Sequence, residues 1–148
     1  RLRDLLPIYH DLLGGQFIQG GDNPRVGYRA LQLGYRDGSK IELMEPLAGS
    51  TFFDSFFRRT GGGGLHHVTF KVGDMHAAVA ALQERGFTPT GLYLDDPHWQ
   101  EVFLHPRETY GTLLQLAHEE GSFPQPEGLT LERLLAGHGQ EGNGVPSP

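Results

Sequence analysis

The chain has no cysteine among its 148 residues. No disulfide can staple it, and any metal site has to be built from nitrogen and oxygen donors, which suits the harder divalent ions. Positive charge is also scarce: 12 Lys and Arg stand against 18 Asp and Glu, a formal net charge of −6. A nucleic-acid partner is not expected, because phosphate binding needs a basic patch and these cations are scattered. No apolar run approaches the roughly 18 residues of a membrane span, so no membrane partner is expected either, and a cytoplasmic location is. The sequence opens at Arg1, already inside a helical pattern. Native sequence is therefore expected upstream, and the lack of a signal peptide carries no information.

What is present repeats. Leu2, Leu5, Leu6, Tyr9, Leu12 and Leu13 fall at helical spacing, and Gly14-Gly15 supplies a stop. A second helix is predicted over Asp74 to Arg85, with Asp74 as N-cap, Met75, Ala78, Val79 and Leu82 as the apolar stripe and Gly86 as the stop. Each helix is followed by two β-patterned runs: Tyr28 to Tyr35 and Lys40 to Met44, then Glu101 to His105 and Thr112 to Ala117. The stops at positions 14 and 86 lie 72 apart, and Ile41-Glu42-Leu43 aligns with Leu114-Gln115-Leu116 at an offset of 73. A near-constant offset across a helix and two strands indicates an internal duplication.

A further strand, Leu65 to Val72, precedes the second helix, and its counterpart in the first half would lie upstream of Arg1. The expected fold class is α+β: two βαβββ modules forming a cupped, barrel-like mixed sheet with helices outside, the first strand of module 1 missing. The expected divisions are a first module at 1–60, a glycine linker at 61–64, a second module at 65–120, and a Gly/Pro-rich tail at 121–148. That tail is read as a loosely docked extension with one short helix over Leu129 to Ala136. The paired aromatics of Thr51 to Phe57 suit a short helix on the core. The glycines at 61–64 lack a following Gly-Lys-Ser/Thr, so they read as a hinge rather than a phosphate loop.

Strand alternation then separates the two faces of each sheet. Val68, Phe70 and Val72 form an apolar face expected beneath the second helix, which leaves His67, Thr69 and Lys71 on the opposite, concave side. By the same rule Ile41 and Leu43, and Leu114 and Leu116, face helices, while Glu42 and Gln115 face away. Glu101 and Phe103 are placed inside, with Val102 and Leu104 against the helix. Glu42 inside an apolar Ile-Glu-Leu-Met run is informative, because a buried carboxylate costs several kcal/mol without a cation or hydrogen bonds. Glu42, His67 and Gln115 are thus candidate metal ligands converging on one concave surface. His66 reads as a helix-side or edge residue, His10 and His76 as solvent-facing, and His98 and His105 as near the rim.

Gly64-Leu65-His66-His67-Val68-Thr69-Phe70-Lys71-Val72, Phe103-Leu104-His105-Pro106-Arg107 and Gly111-Thr112-Leu113-Leu114-Gln115-Leu116 resemble the vicinal oxygen chelate (glyoxalase/bleomycin resistance/dioxygenase) superfamily, in particular its methylmalonyl-CoA epimerase and glyoxalase I branch. Lys40 to Leu47 and Ile8 to Gly14 look like the corresponding pieces of the first module, and the resemblance spans about Leu2 to Glu119. It implies a divalent metal ion (Co, Ni, Zn, Mn or Mg) on ligands matching Glu42, His67 and Gln115, with a further ligand on a strand ahead of Arg1. It also implies a homodimer and a small-molecule substrate on which a proton moves beside a carbonyl held by the metal. The last ligand of that family is usually Glu, which in some members also transfers the proton. Gln115 binds an ion only through its carbonyl oxygen and takes up no proton at neutral pH, so the catalytic carboxylates expected here are Glu42 and Glu101.

Two further readings share this cup. A non-catalytic binding protein of the bleomycin-resistance type would sequester an aromatic or cationic compound, with Tyr93, Trp99 and Phe103 as stacking surface. An iron-dependent extradiol dioxygenase would need Glu where Gln115 stands.

Overall fold

A computed structural model of the chain describes residues 1–120 and 127–138. The fold is mixed α+β with strands dominating, built as two open sheets, neither closed into a barrel. It divides into two compact units, one of residues 1–55 with 127–138 and one of 56–120. The division falls inside α2 (Asp54–Thr60), ahead of the four glycines. Phe52 stacks on Tyr28 and Phe53 meets it edge-on in the first unit, whereas Phe56 packs on Phe57 and His66 in the second.

In the first unit α1 (Leu2–Leu6) runs into a wider π-type turn over Pro7–Leu12. The apolar spacing predicts one regular helix there. Pro7 explains the difference, because it has no N–H to give to the preceding turn and its ring crowds the carbonyl behind it. Gly14, at φ 74°, ends the segment by donating its N–H to the His10 carbonyl at 3.0 Å. An antiparallel meander follows: β1 (Gln16–Asn23), β2 (Tyr28–Gly34) and β3 (Lys40–Pro46), in that order across the sheet. β1 carries no alternation of its own in the sequence. Its register slips between Phe17 and Gln19, so a bulge at Ile18 breaks the period, and two glycines follow.

Leu31, Leu33 and Leu43 emerge from one face of this sheet and pack on Leu2, with Leu5, Tyr9 and Ile41 around them. Leu134 completes the cluster and is fully buried. It follows α4 (Leu131–Arg133), whose N-cap Thr130 accepts from the Arg133 N–H at 3.3 Å. The described part of the C-terminal stretch is therefore anchored in the core of the first unit through Leu134, with Leu129, Leu131 and Leu135 packed against that core, more firmly than its composition suggests. Leucines at helical spacing outweigh the surrounding Gly and Pro once there is an apolar sheet face to bury them.

The second unit is a full βαβββ module: β4 (His67–Lys71), α3 (Met75–Glu84), β5 (Thr90–Tyr93), β6 (Trp99–Leu104) and β7 (Leu113–Glu119). The sheet order is β4-β7-β6-β5, with β4 parallel to β7 and the other pairs antiparallel. Apart from the strand ahead of its helix, the first unit has the same order of elements. Asp74 caps α3 as its sequence predicts, accepting the Ala77 N–H at 2.9 Å. Met75, Val79 and Leu82 pack on Val72, Val102, Leu94 and Leu116. Phe70, expected beneath α3, is instead 54% exposed. β4 is the edge strand, and the apolar stripe of α3 packs over β6 and β7.

Candidate active site

The face of the second sheet opposite α3 carries a row of polar side chains crossing three strands. Thr69 on β4 lies beside Gln115 on β7, and Gln115 is diagonal to Glu101 on β6. The Thr69 hydroxyl donates to Gln115 Oε1 at 2.5 Å, and Gln115 Nε2 donates to Glu101 Oε2 at 2.6 Å. Trp99, two residues before Glu101 and so on the same face, gives its indole N–H to the same carboxylate oxygen at 3.1 Å. Glu101 is fully buried and Gln115 is 6% exposed. An amide has two ends of nearly the same shape, and the carboxylate decides between them here: a Gln115 flipped end for end would set its carbonyl oxygen against Glu101. Hydrogen bonds to a charged acceptor are worth about 1.5–3 kcal/mol each, which is the scale needed to hold a carboxylate out of water.

The β6 end of this row is packed. Trp99 is 7% exposed and Phe103 4%, so neither is the open stacking surface that the sequence suggests. The Lys71 ammonium lies 4.4 Å from the Trp99 ring centroid and pairs with Glu119 at 2.8 Å. The indole therefore meets a cation on its face and a carboxylate at its N–H.

His67 shares this face with Thr69 and Lys71, as alternation predicts, and its neighbour His66 packs edge-on against the Phe56 ring. The two imidazoles meet at 3.1 Å between their Nδ1 atoms, so His66 is a partner of His67 rather than a bystander. Burial lowers the His67 pKa to about 4, with a smaller contribution from His66, and burial followed by the charge of Arg59 lowers that of His66. Both rings are neutral at physiological pH. In a neutral pair one ring donates Nδ1–H and the other accepts. If His67 is the donor, its Nε2 keeps the lone pair that a metal requires.

The first unit shows a second row, on the face of its sheet opposite Leu31, Leu33 and Leu43. Gln19 Nε2 donates to Gln32 Oε1 at 2.8 Å, and Gln32 Nε2 donates to Glu42 Oε1 at 3.3 Å. Gln32 and Glu42 are direct cross-strand partners. Each unit thus carries, on the sheet face opposite its packed leucine or valine cluster, hydrogen bonds that run in one direction toward a carboxylate. The other charged cluster of the first unit lies on the core side and is structural. Arg29 grips Asp22 with two bonds at 2.5 and 2.8 Å and approaches Glu45, which in turn accepts the Leu2 N–H at 2.9 Å and so ties down the start of α1.

The structure therefore brings Gln115 and Glu101 into direct contact, sets His67 on the same face of the same sheet, and places Glu42 in the first unit. The sequence does not single out Gln32, and it gives neither the hydrogen-bonding role of Thr69 nor that of Trp99, which it offers only as stacking surface. Gln32 had a usable signal, since it interrupts Ala30-Leu31-Gln32-Leu33 as Glu42 interrupts Ile41-Leu43. Among the described residues no group of three or more His, Asp or Glu side chains is gathered as a metal cluster. The individual donors do fit a nitrogen- and oxygen-preferring divalent ion: His67 is a neutral imidazole, and the Gln115 carbonyl gives one of its two lone pairs to Thr69 and retains the other.

Residues 2–103 match the family model described as the glyoxalase/bleomycin resistance protein/dioxygenase superfamily. The chain is 31% identical over 113 residues to the ethylmalonyl-CoA/methylmalonyl-CoA epimerase of Cereibacter sphaeroides, an alignment covering 73% of this chain and 82% of that one. It is 28% identical over 119 residues to the mitochondrial methylmalonyl-CoA epimerase of Dictyostelium discoideum, covering 78% of this chain and 70% of the relative. Its fold is like that of the methylmalonyl-CoA epimerase of Mycobacterium tuberculosis, with a TM-score of 0.70 at 24% identity over 82% of each chain.

Proposed function

We propose, for a chain that belongs to the glyoxalase/bleomycin resistance protein/dioxygenase superfamily, an epimerase-type activity that inverts the carbon next to a carbonyl in a small acyl-CoA substrate. Relatives named methylmalonyl-CoA epimerase support an epimerase-type enzyme in this family. The observation that carries the reading is Glu101, a fully buried carboxylate on the sheet face opposite α3, which accepts from the Trp99 indole N–H and the Gln115 amide N–H. Packing alone does not call for it, since an apolar side chain fills such a position at lower cost. A fixed carboxylate shielded from water is what proton removal from carbon needs.

Epimerisation takes a proton from one side of a carbon and returns one to the other. Two carboxylates, Glu101 and Glu42, are the groups proposed for this transfer. Glu42, His67 and the carbonyl oxygen of Gln115 are the proposed donors to a divalent ion. When bound, such an ion supplies Lewis acidity that makes the proton beside the substrate carbonyl easier to remove. His67 contributes as a neutral ring, and Thr69 keeps the Gln115 carbonyl turned away from Glu101.

The test is to incubate the protein with methylmalonyl-CoA and a divalent metal in deuterated water. Deuterium should enter at the carbon between the two carbonyls, and Glu101→Gln should slow its entry about a hundredfold or more. No exchange in the parent protein with any of the five metals would remove this reading.

A further inference from the structure

We propose that Thr69, Gln115 and Trp99 are positioning residues that together fix one orientation of the Glu101 carboxylate, with the Thr69 hydroxyl anchoring the far end of the Gln115 amide. A carboxylate only accepts, so Glu101 takes the N–H end of Gln115 and turns the carbonyl end toward β4. There the Thr69 hydroxyl meets it at 2.5 Å. The amide is thus pinned at both ends, by strands on either side of its own. Trp99 adds a second donor to the same carboxylate oxygen, and its ring is held in turn by Lys71.

The four side chains of the row are carried by three adjacent strands of the sheet, Thr69 on β4, Gln115 on β7, and Glu101 and Trp99 on β6, so its geometry follows the strand register. The adhesion of the sheet to α3 does not use it, because Val102 and Leu116 on the opposite face do that work. Thr69→Val keeps the shape of the side chain and removes the hydroxyl. The Gln115 carbonyl then loses its anchor, and the amide is free to swing about its last torsion. Thr69→Ser keeps the anchor.

The kinetic part of this inference rests on the epimerase reading; the spectroscopic part does not. Trp99 is the single tryptophan of the chain, so its indole N–H gives one resonance in a nitrogen–proton correlation spectrum. In the parent protein that proton should be shifted downfield and exchange slowly with solvent, as expected for a bond to a buried carboxylate. Glu101→Gln and Gln115→Leu should move it, Thr69→Val should move or broaden it, and Thr69→Ser should leave it in place. With methylmalonyl-CoA as the probe, Thr69→Val should lower kcat about ten- to hundredfold, the range for partners that orient a reacting group. KM should change less than about twofold, and Thr69→Ser should restore kcat.

An indole resonance that is the same in the parent, Gln115→Leu and Thr69→Val overturns the positioning role whatever the activity. An active parent whose kcat is unaffected by Thr69→Val overturns it too and leaves the epimerase reading standing. An inactive parent with the resonance moving as described sinks the epimerase reading alone. Thr69 lies on an exposed edge strand, so its valine variant tests the idea even where Gln115→Leu does not fold.

Discussion

Gln115 and Glu101 are diagonal neighbours on β7 and β6, with the amide nitrogen 2.6 Å from a carboxylate oxygen. The resemblance implies a carboxylate where Gln115 stands. In this chain the buried carboxylate on that sheet face sits one strand over, and the amide has become its hydrogen-bond donor. An amide at this position gives the Glu101 carboxylate a neutral donor, which a second carboxylate cannot do at this spacing.

Restoring the acidic residue should therefore be harmful. In Gln115→Glu two carboxyl groups would meet at close range and share one proton, so at neutral pH the variant should be less stable by about 1–3 kcal/mol and less active. The shared proton implies a carboxyl whose pKa is higher folded than unfolded. Its stabilising contribution is complete below the unfolded value of about 4.3 and is lost as the pH rises through the folded value. Urea unfolding at pH 7 and pH 5 should show the penalty shrinking on acidification; a variant as stable and active as the parent at pH 7 would contradict the pairing.

Metal affinity separates the histidines. Replacing His67 with Ala should weaken binding of Co or Mn ions by at least about tenfold in a calorimetric titration. His10→Ala should leave affinity unchanged, because His10 belongs to the N-terminal helical segment and is paired with Asp11 at 2.7 Å. Equal affinities for the two variants would strike His67 from the ligand set.

The third prediction concerns the end of the chain. Leu134 is fully buried, so Leu134→Ala should cost about 2–5 kcal/mol of stability. Gly20→Ala should probe the same contact from the other side. Its new Cβ would stand 2.5 Å from a Leu134 methyl and 2.7 Å from the Ala30 carbonyl oxygen, and overpacking of that kind costs about 1–3 kcal/mol. Thermal unfolding measures both, and a parent-like midpoint for Leu134→Ala would return the C-terminal stretch to the status of a loose appendage.

The sequence by itself determined which way the strands face and how the halves repeat. Period-two alternation in Ile41-Glu42-Leu43 and Leu114-Gln115-Leu116 is enough to set Leu43 and Leu116 on the helix-packed sheet faces and Glu42 and Gln115 on the opposite ones, and Asp74 and Gly86 mark the ends of a helix by local chemistry alone. Those are properties of a few consecutive residues. β1 escaped this reading because one bulged residue inverts the period, and Phe70 escaped it because its cover depends on where α3 lies across the sheet. Leu134 needed a partner surface more than 80 residues away in sequence before its burial had any meaning. Only the tertiary structure decided that Thr69, Gln115, Glu101 and Trp99 form one hydrogen-bonded row and that His66 meets His67. Register between strands and the choice of rotamer set those contacts, and neither is written in the alternation of any single strand.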